Sequence, residues 1–442
     1  MSRFSAITKI LSPISPYKTN FFLSSHHNLE QQLRHYKMKR FFTLAILLCF
    51  AATIVAAKPK HKSLVGEHLP QWSEGYLDIH TISSGRGECL LIVMPDGTSM
   101  VVDAGELPYN KKGTKKIPYG MVLPRPNEES RPVSVYADYI RNFMPQKDSI
   151  DYFQLSHFHI DHMGQALKSS TVNEEGRYVM TGAMALYHLI PFREVCDRAY
   201  PDYDVHAAKA MSNKELYSYR KFLDYHIQKS GLKAVNFELG ATNQFAMRNN
   251  AAAYPNFKIE NICSNGMVWN KSKDTITNVY EGHTMAENAA SCGFVIRYGK
   301  FDFLTAGDIG DYHDLEYEVA EAAGRVEAVK AHHHLSPHSM NDKCMDVLQP
   351  RVMSVTSFSN REIQPDQKKI ESITQNGCKI YCTSVGEIML DMYPDIYSAC
   401  SATSGHIVFR VEPDGKRFWV YVLDDFDSEY RIKRVDGPFK AK

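Results

Sequence analysis

The stretch Ile150-Asp151-Tyr152-Phe153-Gln154-Leu155-Ser156-His157-Phe158-His159-Ile160-Asp161-His162 decides how this chain is read. Ile150 to Ser156 has the aromatic and aliphatic content of a buried strand, and the strand stops where the histidines begin. Four good metal ligands, His157, His159, Asp161 and His162, then fall within six residues on the turn that follows. On an extended segment His157 and His159 point the same way and can reach one ion, while the turn at Asp161-His162 aims the next pair at a second. A solvated His-rich loop is the alternative. A site at the C-terminal end of a strand is where α/β sheets place their ligands.

Upstream, Asp78 to Gly105 reads as three strands, with Ser83-Ser84-Gly85 and Pro95-Asp96-Gly97 as turns, ending at Asp103-Ala104-Gly105. Asp103 there can orient a ligand histidine through its ring N–H, or simply serve as a turn residue. A helix is predicted over Val133 to Met144. Residues 165–280 carry mixed signals, including a capping box Ser212-Asn213-Lys214-Glu215 that opens a helix to Lys229. That stretch is an insertion covering the site or an extension of the sheets.

Further ligands are expected downstream at strand ends. His283 lies in Gly282-His283-Thr284, 25 residues before Asp308. Asp308 follows the hairpin Cys292 to Tyr298 and Phe301 to Thr305, so its carboxylate can bridge two ions about 3.5 to 4 Å apart. A helix over Glu316 to Gly324 precedes a strand, Val326 to Ala331, that runs into His332-His333-His334. Neighbours on a strand point to opposite faces, so one of these is needed; His333 is preferred and His334 is next. His338 is close enough in sequence to supply a proton to a leaving group, or is an ordinary loop histidine. Late strands are predicted at Lys379 to Thr383 and Gly405 to Val411. Strand groups and helices thus alternate in two halves, as in two sheets packed face to face with helices outside.

Asp103-Ala104-Gly105, the HxHxDH run, His283, Asp308 and His333, in that order, resemble the five motifs of the metallo-β-lactamase superfamily over roughly Tyr76 to Asp391. Within it the chain is similar to the hydrolase domain of ComEC-type DNA-uptake proteins, through Gly87 to Ile92, Asn288 to Phe294, Leu304 to Asp308 and Val329 to Ser336. The resemblance implies an α/β fold, the four-layer αβ/βα sandwich, over residues 76–442 with a helical or loop insertion at about 165–280. It implies two divalent ions, zinc first, with manganese or iron also compatible with the donors. His157, His159 and His283 would hold one ion; Asp161, His162 and His333 would hold the other, with Asp308 bridging. Asp161, Asp308 and His333 would carry catalysis with a hydroxide between the ions, which lower the pKa of bound water toward ~7. The expected substrate is a small or short-chain phosphate ester, above all a phosphodiester. An esterase or lactonase and a non-catalytic exported metal-binding module are the competing functions. The chain departs from the family at Gly164-Gln165, where Gly-Gly is usual, and at His333-His334-Leu335-Ser336, where His-His-Gly-Ser is usual. Nothing resembles the membrane channel of the DNA-uptake proteins.

Met38-Lys39-Arg40, the apolar run Phe41 to Val55 and the small residues Ala56-Ala57 have the order of a secretory signal peptide. The expected organisation is a non-native or disordered leader 1–37, a signal peptide 38–57, a linker 58–75 and a secreted or periplasmic body without a membrane span. Residues 1–57 hold seven Lys/Arg and one Asp/Glu, leaving 44 against 49 and a mildly acidic body. Tight binding of long nucleic acid by its phosphates is not expected of such a surface. Eight cysteines follow residue 57, an even number that permits disulfides without choosing among 105 pairings.

Overall fold

The structure, a computed structural model, describes residues 64–109, 121–166, 170–358 and 364–442. The expected leader, signal peptide and first linker residues, 1–63, lie outside the described residues. No helix among the described residues is long and apolar enough to cross a membrane.

The N-terminal half supplies β1 (Leu77–Thr81), β2 (Leu90–Val93), β3 (Ser99–Val102), β4 (Ile150–Gln154), β5 (Phe192–Asp197) and β6 (Lys233–Asn236). The middle supplies β7 (Phe257–Ser264), β8 (Met267–Asn270), β9 (Thr275–Asn278), β10 (Gly293–Tyr298), β11 (Phe301–Thr305), β12 (Ala328–Lys330), β13 (Val352–Val355) and β14 (Lys379–Cys382). β15 (His406–Val411), β16 (Arg417–Leu423) and β17 (Ile432–Lys440) return to the first sheet. The two sheets run β17-β16-β15-β1-β2-β3-β4-β5-β6 and β14-β13-β12-β11-β10-β7-β8-β9.

Three apolar layers define the architecture. Leu77, Ile79, Ile92 and Phe409 of the first sheet meet Phe294, Ile296, Phe303 and Tyr381 of the second in one buried cluster. A second cluster lies between the first sheet and the helices Pro132–Phe143, Gly182–Leu189 and Asn213–Ser230. A third lies between the other sheet and the helices Leu315–Ala323, Asp342–Leu348 and Gln367–Gln375. The result is the helix-sheet-sheet-helix sandwich that the sequence implied. Strands buried on both faces must be apolar throughout, as Leu90-Leu91-Ile92-Val93 is. Pro132 at the first turn fixes a helical φ where its missing N–H costs nothing, and Val133, Tyr136, Ala137 and Ile140 give that helix its buried stripe.

Residues 165–280, expected as a covering insertion, instead supply β5 to β9 and extend both sheets. The helix from Asn213 ends at Gly231 in the left-handed region, as expected, but the capping box does not form. Ser212 makes no side-chain cap, and Glu215 Oε1 accepts from the amide of Ala166, a tertiary bond that outcompetes the local one.

β3-β4-β5-β6 and β11-β12-β13-β14 are parallel, each step crossing over through a helix, so all these strands end at the same side of their sheet. β2 is antiparallel to β3, so the residues just before β2 share that side. Cys292 N, at the head of β10, donates to Ser156 O at the tail of β4 at 2.9 Å and joins the two sheets there.

Deep in the sandwich Arg410 holds Asp78 by two bonds, Nε to Oδ1 at 2.8 Å and Nη2 to Oδ2 at 2.6 Å. Burial pushes the Asp78 carboxyl up, but the Arg410 charge and hydrogen bonds outweigh it and bring it down to about 2. A depressed carboxyl contributes stability above its unfolded value and loses it as the pH falls through about 2. Arg410→Met, which strands that carboxylate, is expected to destabilise the chain by about 3 to 5 kcal/mol in urea unfolding at neutral pH. The deficit should narrow as the pH approaches 2.

Candidate metal centre

β3 ends in Asp103, whose fully buried carboxylate is shared between three donors. Oδ1 accepts from Ser156 N at 2.7 Å; Oδ2 accepts from Ser156 Oγ at 2.7 Å and from His162 Nδ1 at 2.8 Å. Asp103 has φ 62, a strained value outside glycine. With Nδ1 committed to Asp103, the Nε2 of His162 is turned toward Asp308 Oδ2 at 3.1 Å. Asp308 follows β11 and Gly307, and its amide donates to Ser291 Oγ at 3.1 Å.

The third strand end is a turn rather than a continuation of the strand. His333, His334 and Leu335 have φ of 46, 56 and 57 in succession, each costing on the order of 1 to 3 kcal/mol unless its surroundings hold it. The turn sends His334 inward. Its Nδ1 donates to Thr356 O at 3.0 Å, and its Nε2 lies 3.2 Å from Asp308 Oδ2 and 3.3 Å from Asp161 Oδ2. His162 and His334 are thus held in the same way: Nδ1 bonded outward, Nε2 free and facing Asp308. Metal-binding imidazoles are commonly oriented in this way, by a hydrogen bond at the other ring nitrogen.

Glu88, His162, Asp308 and His334 place one donor atom each within 4.8 Å of one another, all buried. Glu88 Oε2, His162 Nε2, Asp308 Oδ1 and His334 Nε2 have no hydrogen-bond partner. Four orphaned polar atoms at one point are costly unless something satisfies them, and a cation does so. The charge balance agrees. Glu88, Asp103, Asp161 and Asp308 bring four carboxylates, against which stands the buried ammonium of Lys330, 2.8 Å from Glu88 Oε1 and 3.7 Å from Asp308 Oδ1. The residues present therefore fit a divalent metal.

His157 and His159 stand beside this set as a pair. His157 Nε2 is 3.2 Å from His159 Nδ1, and the His157 and His162 ring centroids are 4.2 Å apart. Their loop is fixed from behind, because Glu287 Oε1 accepts from Phe158 N at 2.7 Å and Glu287 is itself held by fully buried Arg198 at 2.6 Å.

The structure brings together His157, His159, Asp161, His162 and Asp308, with Asp103 behind them, and leaves three expected residues outside. His283 is exposed and stacks on His313 with centroids 4.2 Å apart. His338 is 59% exposed at its side chain and faces Asp311. His333 has both ring nitrogens in contact with protein groups, Asn288 Nδ2 at 3.1 Å and Ser336 Oγ at 3.1 Å, so His334 takes the inward place assigned to His333. Alternation along a strand does not apply where the backbone has left the strand. Glu88 and Lys330 are site residues that the sequence reading does not single out; the signal for each is a charge adjoining an apolar strand, Glu88 just before Leu90–Val93 and Lys330 within Ala328–Lys330.

No family model matches the chain. No curated protein matches it either. Among solved structures it is similar to Zn(2+)-bound PqqB from Methylobacterium extorquens, at 13% identity and TM-score 0.32, covering 70% of this chain and 98% of that one. It is also similar to the short form of human tRNase Z, at 10% identity and TM-score 0.32, covering 75% of this chain and 98% of that one. Both scores describe a likeness of outline only. What the fold and site define is an αββα sandwich with a buried, metal-compatible cluster of histidines and carboxylates at the strand ends.

Two predictions test the centre. A Cβ on Gly105 would sit 1.7 Å from Asp161 O, so Gly105→Ala must displace the ligand turn; an affinity loss of about 10- to 100-fold for zinc is expected in a chelator competition. In the metal-free chain burial lowers the two imidazoles, but Asp308 and its neighbouring carboxylates overcome it, raising His162 and bringing His334 up to about 9. Both carry protons at pH 7 and must shed them to bind at Nε2. Zinc titration in weakly buffered solution should therefore release protons, with affinity rising as the pH climbs toward about 9.

Proposed function

We propose that this chain is a metal-dependent hydrolase of the metallo-β-lactamase superfamily, acting on a phosphate ester. The observation that carries the proposal is the convergence of His162 Nε2, His334 Nε2 and an oxygen each of Asp308 and Glu88, none with a hydrogen-bond partner. His162, His334 and Asp308 would hold one ion, with Glu88 and Asp161 beside it; the adjacent His157–His159 pair favours a second. A bound divalent cation supplies Lewis acidity and a water ligand acidified toward ~7. The chain's own part is positional. Asp103 and Thr356 O fix the two imidazoles, and Lys330 holds one Glu88 oxygen away from the centre while drawing Asp308 Oδ1 toward itself. His333, half-buried and set by Asn288 and Ser336, stands beside the ligand histidine as a group for substrate to meet.

A cavity of about 370 Å³ is lined by two arginines and two glutamates, Arg86, Arg131, Glu106 and Glu129, together with Ser130, Gln165 and Thr181. Gln165 is three residues beyond His162, and Arg86 is two before Glu88. Arg131 is paired with Glu106 at 2.6 Å, whereas Arg86 keeps a buried Nε with no partner among the described residues. A guanidinium fork suits phosphate better than a neutral lactam.

Zinc-loaded protein is expected to hydrolyse bis-p-nitrophenyl phosphate, and Asp308→Ala to lower kcat/KM at least about a hundredfold. Turnover of nitrocefin without the phosphodiester would move the assignment to esters and lactams. A metal-replete protein inert on both would leave a metal-binding module.

A further inference from the structure

Behind the turn that delivers His334 lies a second cluster. Glu316, His332 and Cys344 are each fully buried, and one donor atom from each lies within 4.8 Å of the other two. They come from three elements: Glu316 from the first turn of the helix Leu315–Ala323, His332 from the residue after Ala331 at the end of β12, and Cys344 from the helix Asp342–Leu348. Their surroundings are apolar, with Leu315, Val319, Leu335, Met340 and Leu348 in the same core.

The cluster is only partly satisfied by its own hydrogen bonds. Glu316 Oε1 accepts from Met340 N at 2.6 Å and lies 2.7 Å from His332 Nδ1, and Oε2 accepts from Asn341 N at 3.3 Å. These bonds hold the Glu316 carboxylate facing His332. His332 Nε2, fully buried, has no partner. Cys344 is anchored through its amide, which donates to Asn341 Oδ1 at 2.9 Å, and this bond sets the first turn of its helix facing Glu316. A packed core that needed only shape would fill these positions with aliphatic side chains.

We propose that Glu316, His332 and Cys344 form a second metal site, distinct from the centre at Asp308, that takes a thiolate-preferring divalent ion, zinc or cobalt. A carboxylate ligand from Glu316 and a thiolate ligand from Cys344 would together cancel a 2+ charge, so the filled site would be neutral in an apolar core. Borderline-soft ions accept a mixed sulfur, nitrogen and oxygen set, whereas magnesium and calcium do not. Binding releases the Cys344 thiol proton to solvent, and no bond other than S–H is broken. The ion would join both helices to His332, one residue before the left-handed run at His333 to Leu335 that aims His334. The site is therefore structural, a brace for a strained turn, and it does not depend on which bond the other centre cleaves.

The centre at Asp308 contains no cysteine, so sulfur is the label that separates the two sites. Fully cobalt-loaded protein is expected to show a near-ultraviolet thiolate-to-cobalt charge-transfer band that Cys344→Ser abolishes and Asp308→Ala leaves in place. Elemental analysis should find Cys344→Ser one metal equivalent short of the parent. Absence of the band in cobalt-loaded parent protein, or its survival in Cys344→Ser, overturns the proposal. Should Cys344→Ser fail to fold, X-ray absorption on the zinc-loaded parent decides. A sulfur scatterer at about 2.3 Å is required, and a shell of nitrogen and oxygen alone contradicts it.

Discussion

The carboxylate of Asp103 joins the end of β3 to the end of β4, and the candidate metal centre is built on that junction. By taking the amide and hydroxyl of Ser156 it fixes where the histidine loop leaves its strand, and by taking His162 Nδ1 it leaves only Nε2 to face inward. The backbone repeats the connection three times, through Glu88 N to Asp161 O, Ala104 N to His162 O and Gly105 N to Glu88 O. Three chain segments thereby become one rigid rim. The strained φ at Asp103 persists because these bonds over-determine it.

The opposite rim is contributed by the second sheet, and its problem is charge. Four carboxylates and one ammonium in a buried volume leave an excess of negative charge that the fold cannot solvate. Without metal, protons on His162 and His334 reduce the excess. A divalent ion removes it more completely and satisfies the orphaned atoms as well. Lys330 divides the labour: it neutralises Glu88 and leaves Asp308 and the two imidazoles to the ion.

Much of this was legible before any coordinates. The HxHxDH run, Asp103 and Asp308 all sit at strand ends, and parallel strands joined by helical crossovers bring such ends to one side whatever the loops between them do. The sandwich itself followed from strand groups and helices alternating in two halves, and from the resemblance that the motif order carries. What was not legible depended on contacts remote in sequence. His283 had the right residue type and order, but the position of its loop depends on Tyr280, Gly282 and His313 rather than on any local pattern. The choice between His333 and His334 turned on three successive left-handed residues that no propensity favours, because they are not glycine. Residues 165–280 were irregular in sequence because β6 and β9 are half-exposed edge strands with no continuous apolar run.

The central claim is that His162, His334 and Asp308 share a metal ion. A zinc-loaded crystal measured on both sides of the zinc absorption edge tests it directly. The account predicts an anomalous peak about 2.0 to 2.2 Å from both Nε2 atoms and a carboxylate oxygen of Asp308. A zinc peak ligated by His283 or His333, with none between His162 and His334, would contradict it.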